Sequence, residues 1–193
     1  MIVLAGKSGA GKTTVAKLLE KEHGMKRAVT CTTRPPREGE VDGIDYHFLT
    51  QEQFDEMEKK GMFAESAHTG VYSYGSLKES YLDEDSVIVL DPDGVRHIQA
   101  DKEKEGYRTL TVYLGGDNAL LRKRLVKRGD DLKKAAERLA EDNARFEGIE
   151  KLCDLQFLQT EKMKAEDVAA FLAEMAHAMK EEMKLCVKAP VKD

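Results

Sequence analysis

The 193-residue sequence predicts an α/β domain whose helices cover a parallel central sheet. Three observations predict it. Short apolar runs at 2–5 and 87–90 lack polar alternation, the mark of strands buried on both faces. Segments of helical period lie between successive runs. A glycine-rich turn joins the first strand directly to the first helix.

Taken in order, residues 2–5 form the first strand and 6–11 break it. Residues 12–21 read as a helix, with Val15, Leu18 and Leu19 on one side. A second strand begins at Val29, followed by a polar loop over 32–39. Residues 46–49 read as a strand. Thr50 with Gln53 is a capping box that opens a helix through Lys60. Residues 62–74 have strand and turn character, punctuated by Gly70. The run 87–90 is the strongest buried strand and ends at Asp91. A helix over 94–105 and a strand over 109–114 follow. Residues 117–147 are helical, interrupted at Gly129-Asp130-Asp131. Residues 155–158 form a last strand. Residues 165–184 form an amphipathic helix with Val168, Phe171, Leu172, Met175, Met179 and Met183 on one face, read as cover for the sheet. The tail after Cys186 reads as polar and frayed.

Composition narrows the function. The net charge is −5, from 31 basic against 36 acidic residues, so no broad basic field exists to hold nucleic acid. The three cysteines, Cys31, Cys153 and Cys186, are widely spaced, and the five histidines show no ligand spacing. Neither a disulfide framework nor a zinc site is expected. No apolar run reaches membrane-spanning length and no signal-like start is present, so a cytoplasmic location without membrane contact is expected.

Residues Gly6-Lys7-Ser8-Gly9-Ala10-Gly11-Lys12-Thr13 match the pattern G-x-x-x-x-G-K-[ST] in full, followed by Thr14. The residue types fit the chemistry of a triphosphate cradle. Glycines let backbone N–H groups converge on phosphate oxygens, and the following helix N-terminus adds partial positive charge. Lys12 is expected on the β- and γ-phosphates of ATP, and the Thr13 hydroxyl on Mg²⁺.

The stretch from Thr30 through Phe48, with Arg34-Pro35-Pro36-Arg37-Glu38-Gly39-Glu40 at its centre, resembles the guanylate kinase family. Glu65, Tyr74-Gly75-Ser76 and Asp91 continue the resemblance, which runs to about Arg145. It implies a P-loop NTPase three-layer fold with a parallel central sheet, an inserted mixed α+β subdomain for the nucleoside monophosphate, and a helical lid. The expected boundaries within this single domain are a core of 1–31 and 83–193, an insert over 32–82 and a lid over 124–145. The implied reaction is ATP-dependent phosphorylation of GMP with Mg²⁺. The resemblance assigns Arg34, Arg37, Tyr46 and Tyr74 to the GMP phosphate, and Glu65, Ser76 and Thr30 to the base. It sets Asp91 near the acceptor and a metal-bound water.

The residues carry this chemistry on their own terms. Two guanidinium groups around a stiff Pro-Pro pair suit a dianion. A carboxylate only accepts, and guanine offers two adjacent N–H donors where adenine offers an acceptor, so Glu65 is a natural guanine reader. Taken singly, each of these is equally an ordinary loop charge or packing residue; it is the ordered set that points to a site. Arg124 and Arg128 share a helix face, and Arg138 follows the Gly129 break. The resemblance makes all three lid arginines that close on the transferring phosphoryl beside Lys12 and Arg34.

Several positions depart from the family pattern: Lys7, Ser66, Val89, and Gln159-Thr160 where the adenine is expected. Two other readings stay open. One is a kinase for another phosphorylated acceptor such as ribose 1,5-bisphosphate. The other is a non-catalytic guanylate-kinase-like binding module. The sequence contains no sign of oligomeric state.

Overall fold

The computed structural model describes residues 1–188, leaving aside the side chains of 69 and 182–188. The expected tail begins at Val187, which with Lys188 still belongs to the last helix; the rest of it lies outside the described residues, as does the Met183 side chain.

Five strands make one wholly parallel sheet in the order β2-β7-β1-β8-β9. These are β1 (Ile2–Ala5), β2 (Lys26–Arg27), β7 (Ser86–Val89), β8 (Leu110–Gly116) and β9 (Leu155–Gln159). The central strand β1 is buried along its whole length and its side chains alternate between two cores. Ile2 and Leu4 pack with Val15, Leu19, Leu121, Leu125, Leu139, Val168 and Leu172. Val3 and Ala5 pack with Val95, Ile98, Phe146 and Ile149. One face is thus covered by α1 (Lys12–His23), α4 (Asn118–Lys127), α5 (Leu132–Arg145) and α7 (Ala165–Lys188), the other by α3 (Pro92–Glu105) and α6 (Ile149–Leu152). Burial on both faces is why β1 and β7 read as continuous apolar runs.

A second, mixed sheet of four strands has the order β4-β3-β6-β5. It contains β3 (Cys31–Thr32), β4 (His47–Phe48), β5 (Phe63–Thr69) and β6 (Tyr72–Leu77), with α2 (Gln51–Lys59) beside it. Phe54 of α2 stacks on Phe63 with ring centroids 4.6 Å apart, giving this sheet its own small core with Cys31. The Thr50–Gln53 capping box opens α2 as the sequence predicts.

Several expectations are corrected. The second strand does not begin at Val29. The chain pairs with β7 only at Lys26 and Arg27, then leaves the central sheet and joins the other one at Cys31. Neither two-residue strand is long enough to leave a period in the sequence. Residues 62–74 resolve into two strands, β5 and β6, turning at Gly70. Helix α3 starts two residues early, because Asp91 caps it by accepting from Gly94 N at 2.9 Å and Pro92 suits its first turn. On α7, Val168 and Leu172 are buried and Met175 and Met179 partly so, but Phe171 is 43% exposed.

Candidate functional site

The first strand ends in the glycine loop, where Gly6 is a steric necessity. Gly6 holds φ +148°, and a Cβ on it would lie 2.2 Å from the Leu114 carbonyl oxygen of β8. The loop can therefore lie tight against the sheet only with glycine at this position. Gly11 then caps α1, whose N-terminus faces a cavity of about 800 Å³. Ser8, Gly9, Gly11, Lys12, Thr13 and Thr14 line it, together with Arg124, Arg128 and Gln159. Gln159 spans its wall, donating to the Ala10 carbonyl at 2.6 Å and accepting from Arg124 Nη1 at 2.6 Å.

Lys12 donates to the carbonyls of Gly6 and Lys7. Burial pushes its ammonium down to about 8, against the opposing pull of Asp142. It also lines a second cavity of about 270 Å³, shared with Thr30, Tyr46, Glu65, Tyr74, Asp91, Arg138, Arg145 and Phe146. Lys12 stands at the junction of the two cavities, the only lining residue they have in common among those described.

The acidic end of the second cavity is built by the β5–β6 pairing. A bulge between Phe63 and Glu65 sets Glu65 opposite Ser76. Glu65 is 7% exposed and its Oε1 accepts from Ser76 Oγ at 2.6 Å. Ser76 Oγ also lies 2.8 Å from the Tyr81 hydroxyl. Burial drives the Glu65 carboxyl up to about 7; the Ser76 bond opposes this, and the charges of Asp91 and Asp93 add to it. Gly94 makes room for this carboxylate: a Cβ there would stand 3.0 Å from Glu65 Oε2. Tyr46 and Tyr74 meet edge to face on the wall, centroids 6.4 Å apart.

The structure gathers the expected residues unevenly. Thr30, Tyr46, Glu65, Tyr74, Asp91 and Arg138 share the smaller cavity, and Arg124 and Arg128 line the larger. Ser76 is fully buried behind Glu65 and donates its hydroxyl hydrogen bond to that carboxylate. Arg34 is 9% exposed and held bidentate by Glu40, both oxygens 2.9 Å from Nη2, beneath the Tyr46 ring. Arg37 is exposed. Neither arginine is on the wall of the smaller cavity, because Glu40, six residues on, satisfies Arg34 within its own loop.

Residues the sequence reading missed come from the last turns of α5. Asp142 Oδ2 accepts from Ser8 N at 2.6 Å, and Asn143 Oδ1 accepts from Lys7 Nζ at 2.6 Å. Arg145 Nη2 lies 3.0 Å from Asp91 and 3.7 Å from Asp93. One signal was available for Asp142. It falls on the stripe Ala135, Leu139, Asp142 and Phe146, all buried, where a carboxylate is out of place. No group of His, Cys, Asp and Glu among the described residues is arranged to hold a metal ion by itself. No described helix is long and apolar enough to cross a membrane.

A family model described as guanylate kinase matches residues 1–182. A guanylate kinase of Clostridium perfringens is 39% identical over 135 residues, which is 68% of this chain and 62% of that protein. One from Thermotoga maritima is 36% identical over 152 residues, 76% of this chain and 72% of its own length. The match thus spans less than two thirds of the first relative's length. Among solved structures, a guanylate kinase from Anaplasma phagocytophilum shares the fold at TM-score 0.64 and 22% identity, over 93% of this chain and 85% of that one.

Proposed function

Since the chain belongs to the guanylate kinase family, we propose that it transfers the γ-phosphoryl group of ATP to GMP, yielding ADP and GDP. The observation that carries this reading is Lys12 standing between two cavities, one walled by the glycine loop and the other by a buried carboxylate. The larger cavity is the proposed ATP site. Backbone N–H groups of 6–14 and the α1 N-terminus would hold the triphosphate, with Arg124 and Arg128 over it.

The smaller cavity is the proposed GMP site. Glu65, held in place by Ser76, would accept from the two adjacent N–H donors of guanine, with Thr30 nearby. Tyr46 and Tyr74 would donate to the GMP phosphate, joined by Arg34 and Arg37 as the monophosphate displaces Glu40 from the guanidinium. A phosphate oxygen of GMP attacks the γ-phosphorus as its bond to the β-phosphate oxygen breaks. The nucleophile is already anionic, so no protein base is required. Lys12 and Arg138 would stabilise the charge on the moving group.

The donor set fits Mg²⁺, which takes few protein ligands and many from phosphate and water. The Thr13 hydroxyl on the wall of the larger cavity would hold it, with Asp91 acting through water. When bound, it neutralises triphosphate charge. The expectations of an insert over 32–82 and a lid over 124–145 belong to the same proposal. The test is turnover with ATP and Mg²⁺ against GMP, AMP and ribose 1,5-bisphosphate. Activity confined to GMP is expected; activity with only the sugar phosphate, or with none, overturns the reading.

A further inference from the structure

The last turns of α5 deliver a carboxylate to the loop that elsewhere in this site is arranged for phosphate. We propose that Asp142 is a resident anion of the donor site, which an incoming triphosphate must displace, so that donor binding is coupled to movement of α5. The proposal rests on the reading of residues 6–14 as a triphosphate loop.

Asp142 is 8% exposed, and no Lys or Arg side chain among the described residues forms an ion pair with it. A buried carboxylate without such a partner is costly unless hydrogen bonds and local dipoles compensate. The compensation comes from the phosphate loop. Ser8 N donates to Asp142 Oδ2 at 2.6 Å, and Lys12 is a favourable charge nearby. The next residue repeats the arrangement, as Asn143 Oδ1 takes the Lys7 ammonium at 2.6 Å. Two successive residues of α5 therefore seat on two successive residues of the loop.

The features that make this seat attractive to a carboxylate are those that make it attractive to phosphate: the Ser8 backbone N–H, the positive end of α1 and the Lys12 ammonium. A triphosphate brings several negative charges to the same donors, so Asp142 and the phosphates repel one another across the loop. Binding the donor then requires Asp142 to leave. Because Asp142 is carried by a helix, its departure moves the last turns of α5, including Arg145 and its pairs with Asp91 and Asp93 at the acceptor cavity. The seat is thus a ligand-controlled contact between the two cavities.

The test measures binding of ATP and of inorganic tripolyphosphate by calorimetry to the full chain and its variants. Asp142→Asn keeps an acceptor for Ser8 N and removes the charge. It is expected to tighten both ligands about tenfold, within the range of ordinary coupling between competing sites. Asp142→Glu, which retains the charge, should show no such gain. Unchanged or weaker tripolyphosphate binding by a cooperatively melting Asp142→Asn variant overturns the proposal. A second measurement needs no variant: saturating tripolyphosphate should raise amide exchange over 139–145 in the unmodified protein, and unchanged or slower exchange there also overturns it. GMP-dependent ADP formation is scored separately. Its absence refutes the kinase reading, while the tripolyphosphate data judge Asp142.

Discussion

As the proposed guanine reader, Glu65 ties substrate choice to a buried acid, and the tie has a pH signature. Its carboxyl is pushed up to about 7, mainly by burial. Only the ionised form accepts from both guanine donors, so the competent fraction is about one tenth at about pH 6 and about nine tenths at about pH 8. The apparent Kd for GMP should therefore fall about tenfold over that interval through Glu65 alone. The phosphate of GMP titrates near about pH 6 and adds a slope of its own. Glu65→Gln separates the two, because the phosphate contribution survives in the variant and the carboxyl contribution does not. Gln also turns an amide donor toward a guanine donor, so at about pH 8 binding should weaken by about 1.5–3 kcal/mol, roughly ten- to 150-fold. Calorimetric titration of GMP into both proteins at several pH values gives the ratio of their dissociation constants. That ratio should widen about tenfold from pH 6 to pH 8. A ratio that is flat across this range refutes the assignment of Glu65 as the guanine reader.

The same carboxyl affects stability with the opposite sign. Its folded pKa lies above the unfolded value, so the protonated form stabilises the fold. That contribution is complete below about 4.5 and lost as pH rises through about 7. Without ligand, Glu65→Gln should be more stable than the parent at about pH 8, by up to about 3 kcal/mol, and the difference should fade as pH falls below about 4.5; equal melting curves at about pH 8 contradict it. Lys12→Ala should lower kcat by about a hundredfold to a thousandfold with a near-native circular dichroism spectrum, and near-normal turnover would remove Lys12 from phosphoryl transfer. Gly94→Ala puts a methyl 3.0 Å from Glu65 Oε2 and should raise KM for GMP while leaving KM for ATP unchanged. A parallel rise in both constants, or in neither, would sever Gly94 from the acceptor pocket.

The amino-acid sequence determined what depends on neighbours along the chain. The glycine loop with Lys12 and Thr13 is one continuous motif, because a strand, a tight turn and a helix N-terminus must follow one another to cradle phosphate. The strands β1 and β7 were legible because burial on both faces leaves no polar alternation. The Thr50 cap was legible because both of its hydrogen bonds close within three residues. Tertiary structure decided what depends on distant segments. Ser76 sits opposite Glu65 through a bulged hairpin, so its proton serves the carboxylate. Arg34 is claimed by Glu40, a choice between partners that residue types leave open. Asp142 meets Ser8 across 134 positions of chain, and Arg145 meets Asp91 across 54. Such contacts follow from how helices seat on the sheet. A side chain's local pattern records which face it occupies, and only the packed fold supplies the group waiting on the other side.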